Sequence, residues 1–202
     1  MGIVIELQRE ALDENISIES LMRKAYLVAK KLGLKEFEQW LNQEQNGYTQ
    51  QIPEYRHVVG DIKAWNPYHG WILMVVSANV ADVISKMPLG TSISALQDLY
   101  NSSEGTIMIS VPGKLAEFFN QNTNGMPTKY AFFASKSELY RIMSTVRNKI
   151  LDWALLLEAN GIVGEGMTFT DVEKRTAKNT QVINNYTNNF FAQVSDVEVD
   201  QG

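Results

Sequence analysis

Between Ser135 and Gly161 the chain carries an apolar stripe at Leu139, Ile142, Met143, Val146, Ile150, Trp153 and Leu157. Spacing of three and four residues sustained this long is one face of an α-helix, and about 20 such residues make a rod of about 30 Å. Such a helix is expected to lie across a small sheet as the main element of the fold. Ser135 and Glu138 have the spacing of a capping box at its start, and Gly161 supplies the stop.

The same period appears at Ile18, Leu21, Met22, Ala25, Val28, Ala29 and Leu32, with Ser17 as the cap and Gly33 as the terminator. Phe37, Trp40, Leu41 and Glu44 follow on a second helix that ends at Asn46-Gly47. These two make an N-terminal helical hairpin. Beyond Pro53 the period drops to two, with Tyr55, His57, Val59, Asp61 and Lys63 on one face and Arg56, Val58, Ile62 and Ala64 on the other. The turn Asn66-Pro67-Tyr68-His69-Gly70 then returns the chain into the apolar run Trp71 to Val76, which predicts a β-hairpin. Helices are expected at Val80–Met87, Ile93–Tyr100 and Lys114–Phe119, and strands at Thr106–Val111 and Lys129–Ala134. Strands and helices do not alternate regularly, and no Gly-rich strand-to-helix turn occurs, so the fold class is α+β with a small, mostly antiparallel sheet. From residue 179 the composition turns to Asn, Thr, Gln and aromatics, around Asn184-Asn185-Tyr186-Thr187-Asn188-Asn189-Phe190-Phe191. Residues 179–202 read as a disordered linker or as a strand that pairs with copies of itself, and residues 1–178 as one domain.

Composition narrows the chemistry. There is no cysteine among 202 residues, which removes disulfide scaffolds, zinc ribbons and thiol nucleophiles. The longest apolar run, Trp71 to Val76, falls far short of the roughly 18 residues of a membrane span, and no secretory leader is recognisable, so a cytoplasmic chain without direct membrane contact is expected. On that basis the glycosylation-type triplets at Asn101 and Asn185 are chance matches. Gly164-Glu165-Gly166 lacks the third glycine of a dinucleotide turn, and Met108 stands where a phosphate loop ending at Lys114 needs its first glycine. His57 and His69 are the only histidines, without the partners of a metal site or a hydrolase triad, and both are expected to face solvent. No cofactor, metal or catalytic residue is therefore expected.

Two constellations remain. Glu54, Asp61 and Lys63 loosely match the acidic, acidic-x-Lys arrangement with which nucleases hold a divalent ion, although an ordinary half-exposed strand presents the same residues to water and is the preferred reading. The loop Trp65, Asn66, Tyr68, His69 and Trp71 offers aromatic planes, an amide and an imidazole, which suit stacking and edge recognition of a nucleobase, while closure of the core by the same aromatics is the plainer alternative. Arg23, Lys24 and Arg56 are the basic residues that would meet the phosphate of such a ligand. The formal charge of −5 argues against unspecific binding to duplex DNA and leaves room for a local basic pocket.

Several short motifs occur together and in order. They are Ser20-Leu21-Met22-Arg23-Lys24-Ala25, Leu34 to Glu44, Asn46-Gly47-Tyr48, Pro53-Glu54-Tyr55-Arg56, Asn66 to Trp71, and Arg147 to Glu158. Across residues 17 to 178 the chain resembles the AbiTii domain of bacterial abortive-infection proteins, with Gln45 standing where that pattern usually carries an apolar residue. The resemblance implies a part in defence against bacteriophage. It carries over no catalytic residue, and so points to sensing, binding or assembly. Such domains stand at the N-terminus of longer polypeptides, which implies an effector segment beyond residue 202 and a location at the inner face of the membrane if that segment spans it. The expectation is a non-enzymatic, homo-oligomeric sensing and regulatory domain that takes a nucleotide or oligonucleotide signal. A metal-dependent nuclease and a purely structural adaptor are the alternatives.

Overall fold

The computed structural model describes residues 2–122 and 127–180. Nearly all of the Asn-rich stretch from 179 onward lies outside the described residues. Helix α1 (Ile3–Leu12), α2 (Ile18–Leu32) and α3 (Lys35–Asn46) come first, and then a 3-10 turn at Glu54–Arg56 leads into strand β1 (His57–Asn66). Strand β2 (Gly70–Leu73), α4 (Ala78–Ile84), β3 (Lys86–Pro88), α5 (Ile93–Ser102), β4 (Thr106–Ser110), α6 (Gly113–Asn122) and β5 (Tyr130–Ser135) follow. Helix α7 (Ser137–Ala159) and α8 (Asp171–Asn179) close the described chain. The fold is α+β, as the periodicities imply.

Helices α2 and α3 begin and end where the sequence places them. Ser17 accepts from Ser20 N, and Gly33 takes the left-handed conformation (φ 74°) that closes α2 without a side-chain penalty. The sequence reading missed α1 and α8. Residues Ile3, Val4, Leu7 and Ala11 bury one side of α1 against α7, and its mixed Glu and Arg content hides so short a stripe. Arg147 of α7 staples the α1–α2 turn by donating to the carbonyls of Glu10 and Asp13 (both 3.3 Å) and of Ile16.

The sheet runs β2-β1-β5-β4, antiparallel throughout, with β3 paired to the first part of β1. Three expectations are corrected here. The apolar run after Gly70 is strand only through Leu73, with Met74 N still donating to the Ile62 carbonyl at 3.2 Å; α4 stops at Ile84; and Lys86–Pro88, expected to end a helix, forms β3 opposite His57–Val59. Pro88 is tolerated because it is the last residue of a short strand. Gly60 makes the β1–β5 contact possible, since a Cβ there would stand 2.2 Å from the Phe133 carbonyl oxygen.

The predicted capping box of α7 does not form. Lys136 is the N-cap, and Glu138 turns away to accept from Val59 N at 3.1 Å and from Arg141 at 3.0 Å. In the ladder Val59 falls opposite Ser135, where β5 ends, so the carboxylate satisfies a strand N–H that β5 no longer reaches. The capping box sits instead on α8, where Thr170 accepts from Glu173 N (3.2 Å) and Glu173 accepts from Thr170 N (2.8 Å). Glu173 also accepts from Val163 N and Gly164 N, which ties α8 to the loop that carries α1. Burial works against ionisation of Glu173, yet the hydrogen bonds from Thr170, Gly164 and Val163 outweigh it and hold the carboxyl below its ordinary range.

Candidate functional site

The eight candidate residues do not form one site. Arg56 is fully buried. Its Nη2 donates to Glu44 Oε2 at 2.7 Å, its Nε to Glu44 Oε1 at 3.3 Å, and its Nη1 to the carbonyls of Thr91 (2.9 Å) and Leu89 (3.4 Å). Glu44, equally buried, also accepts from the hydroxyls of Tyr48 and Tyr55 at 2.6 Å each, and Trp40 Nε1 donates to Tyr55 Oη at 2.9 Å. Burial, and then the Glu44 charge, push both phenols far above the ordinary tyrosine range. The motifs Trp40…Glu44, Asn46-Gly47-Tyr48 and Pro53-Glu54-Tyr55-Arg56 therefore meet in one saturated internal network, and Arg56 is structural rather than a phosphate contact.

Lys24 is held by Glu10 (2.5 Å) and Glu6 (3.4 Å) between α1 and α2, and Arg23 pairs with Glu19 one helical turn away. Arg23 lines a cavity of about 200 Å³ with Glu19, Gln45, Asn46, Ile93 and Ser94, far from the aromatic loop in sequence and in fold. Along β1 the chain rises about 3.3 Å per residue, so Trp65 stands about 26 Å from His57, the residue that follows Arg56. The composition of the loop and of the basic residues suggested a common site, but the length of one strand separates them.

Glu54 is kept apart from Asp61 and Lys63, which share a face of β1. Glu54 on the 3-10 turn approaches Lys86 Nζ (3.3 Å) and His57 Nδ1 (3.5 Å), whereas Asp61 is opposite Phe133 well along the strand. Among the described residues no group of three or more His, Asp or Glu is placed to hold a metal ion. His69 is exposed, as expected, while His57 is partly covered by the Glu54 turn.

The remaining five candidates share one end of the sheet. Asn66 Oδ1 accepts from Tyr68 N (2.9 Å) and His69 N (3.1 Å), an Asx turn in which Pro67 presets the bend and Gly70 (φ 72°) returns the chain into β2. That amide oxygen is spent on the turn and is not a base-reading group. The turn sets Trp65 opposite Trp71, with ring centroids 5.3 Å apart at 71°. Trp71 in turn meets Phe133 of β5 at 5.4 Å and 63°.

Alternation along the strands explains why this row lies open. Val58, Ile62, Ile107, Phe132 and Ala134 face the helices and are buried, so Val59, Asp61, Lys63, Trp65, Met108 and Phe133 face the other way. Trp65 is 42% exposed, Met108 59% and Leu73 59%. Tyr68, at the tip of the turn, is 90% exposed. The Lys63 ammonium stands 4.6 Å from the centroid of the Phe133 ring. Trp65 N donates to the Lys129 carbonyl at 2.9 Å, which continues the β1–β5 register and sets Lys129 beside Trp65. Phe133, Lys129 and Met108 escape a reading of the sequence because only the pairing register brings them to the tryptophans.

What the arrangement offers is stacking surface with one lysine over Phe133 and a second, Lys129, opposite Trp65 in the ladder. Offset or edge-on aromatic pairs expose ring faces to a third planar group, and a lysine beside them is a mobile partner for an anion. The AbiTii family model matches residues 2–182, and the chain belongs to that family. It is thereby an abortive-infection domain of antiphage defence. No curated protein and no solved structure matches the chain. No helix among the described residues is long and apolar enough to cross a membrane.

Proposed function

We propose that this chain is a non-enzymatic receiver within abortive-infection defence, which binds a nucleobase-bearing signal on the open face of its sheet and controls an attached effector through a change of assembly. The observation that carries this reading is the row Trp65, Trp71 and Phe133, with Trp65 exposed and the other two rings half-buried, Lys63 over Phe133 and Lys129 opposite Trp65 in the ladder. A core cluster would be fully covered, and large apolar rings left partly in water mark a binding surface.

Thermal unfolding of the 202-residue chain against a panel of mono-, di- and cyclic nucleotides tests the binding step. A ligand at 100 times its dissociation constant adds about 2.7 kcal/mol of stability, and Trp65→Ala with Trp71→Ala removes the gain. No shift with any nucleotide ends this reading. Sedimentation with and without the stabilising nucleotide tests the assembly step, with a change in mass expected. Incubation with RNA or DNA and magnesium or manganese leaves the substrate intact if the domain only receives; turnover that Asp61→Ala abolishes would make it an enzyme instead.

A further inference from the structure

We infer that the ligand of this face is a short single strand of RNA or DNA lying across the sheet, with successive bases on Trp65, Trp71 and Phe133; this rests on the reading of the face as a nucleobase receiver. The first argument is shape. The three rings form a row with steps of 5.3 and 5.4 Å, and Met108, directly opposite Phe133 in the ladder, prolongs it onto a fourth strand. A mononucleotide has one base and covers one step. Successive bases of an unpaired strand each present a π-face, and aromatic platforms of this kind hold them with little regard to sequence.

The second argument is charge. In a chain of net −5, the described residues of β1, β2, β4 and β5 put one acidic residue on this face, Asp61, which stands opposite Phe133, against the two lysines. Lys63 lies over Phe133, and Lys129 falls opposite Trp65 in the ladder. Two cations beside three rings match the one or two phosphates that link two or three bases. They are too few for a duplex, whose stacked bases also hide their faces.

The third argument is the seat of Lys63. Its ammonium occupies the Phe133 ring in the free protein. A base that stacks on Phe133 takes that position, and the ammonium, on its flexible stem, passes to the adjoining phosphate. Stacking and charge pairing then come as one exchange.

Quenching of tryptophan fluorescence in the 202-residue chain tests the inference, with oligouridylates and oligodeoxythymidylates of one, two, four and eight nucleotides and a duplex as probes. Affinity is expected to rise about tenfold or more from one to four nucleotides and little thereafter, with no quenching by the duplex. The slope of log affinity against log salt should be about −1.4 for two phosphates, and Lys129→Gln should reduce it by about 0.7. Phe133→Ala, with melting temperature and circular dichroism confirming the fold, flattens the length dependence. Tighter binding of the RNA series assigns a contact to the 2′-hydroxyl, and equal binding assigns the affinity to stacking and phosphate; both support a strand.

Equal affinity for one and four nucleotides overturns the inference and leaves the nucleobase receiver standing. Failure of every probe and of every mononucleotide, with Trp65→Ala indistinguishable from the parent, removes both. A parent chain that sediments as a dimer, dissociates on Trp71→Glu and ignores all oligonucleotides shows the face to be an interface between copies, which also overturns it.

Discussion

The Phe37–Trp40–Trp153 cluster beside the Glu44–Arg56 pair, and the Trp65–Trp71–Phe133 row beside Lys63, use the same residue types under opposite conditions of solvent access. In the first, Phe37 and Trp153 stack at 4.0 Å, all three rings are buried, and the carboxylate accepts from Arg56 and from two phenols. In the second, the rings meet edge-on, Trp65 is 42% exposed, and the lysine is held by a ring instead of a counter-ion. The difference separates two uses of one chemistry. A sealed cluster fixes α3 to the start of β1, whereas a half-open one has capacity left for a ligand.

Four measurements would break or sharpen that contrast. The largest effect is expected from Glu44→Gln, which leaves the Arg56 charge buried without its counter-ion and should cost about 3–5 kcal/mol in denaturant unfolding. A loss below about 1 kcal/mol would mean that the network is not the closed unit described here.

Alkaline unfolding comes second. Tyr48 and Tyr55 keep their protons in the folded state but ionise near pH 10 when unfolded, so their contribution is whole below that pH and is lost as the pH rises above it. Each phenol adds about 1.4 kcal/mol of lost stability per pH unit, and Tyr48→Phe should remove one such share from the slope. Third, Glu173→Gln should cost about 1 kcal/mol at pH 7 through the α8 cap. Because the folded pKa of Glu173 is depressed, its contribution is present above the unfolded value and lost as pH falls through the folded one. The gap between parent and variant should therefore close as the solution is acidified toward pH 3. The smallest effect belongs to Trp65→Ala, where a half-open ring should cost under about 1 kcal/mol while nucleotide-induced stabilisation disappears. A loss of core magnitude at Trp65 would erase the distinction between the two clusters.

Local pattern accounts for much of what was legible in the chain. The stripes of α2, α3 and α7, the αL stop at Gly33 and the in-out alternation of β1 each follow from neighbours within a few residues, so they are written in order along the sequence. The helix α1 was missed because its stripe is short and gains its stability from α7. Glu138 was assigned to a cap on spacing alone, but a strand N–H that only the assembled sheet presents to it proved the stronger partner.

The site divides the same way. Aromatic residues around a Pro-containing turn announced a possible platform, and the family to which the chain belongs was readable from its motifs. Whether each charged candidate was free or engaged was not, since Arg56 and Lys63 look alike in sequence and are seven residues apart in the chain. The 3-10 turn before β1 sent Arg56 inward to Glu44, and alternation along β1 sent Lys63 outward over Phe133. Sequence by itself determined the helical stripes, the turns and the class of fold, because these depend on short-range spacing. Tertiary structure decided which aromatic cluster is sealed and which is open, because burial depends on which layers pack and on pairing register between strands distant in the chain.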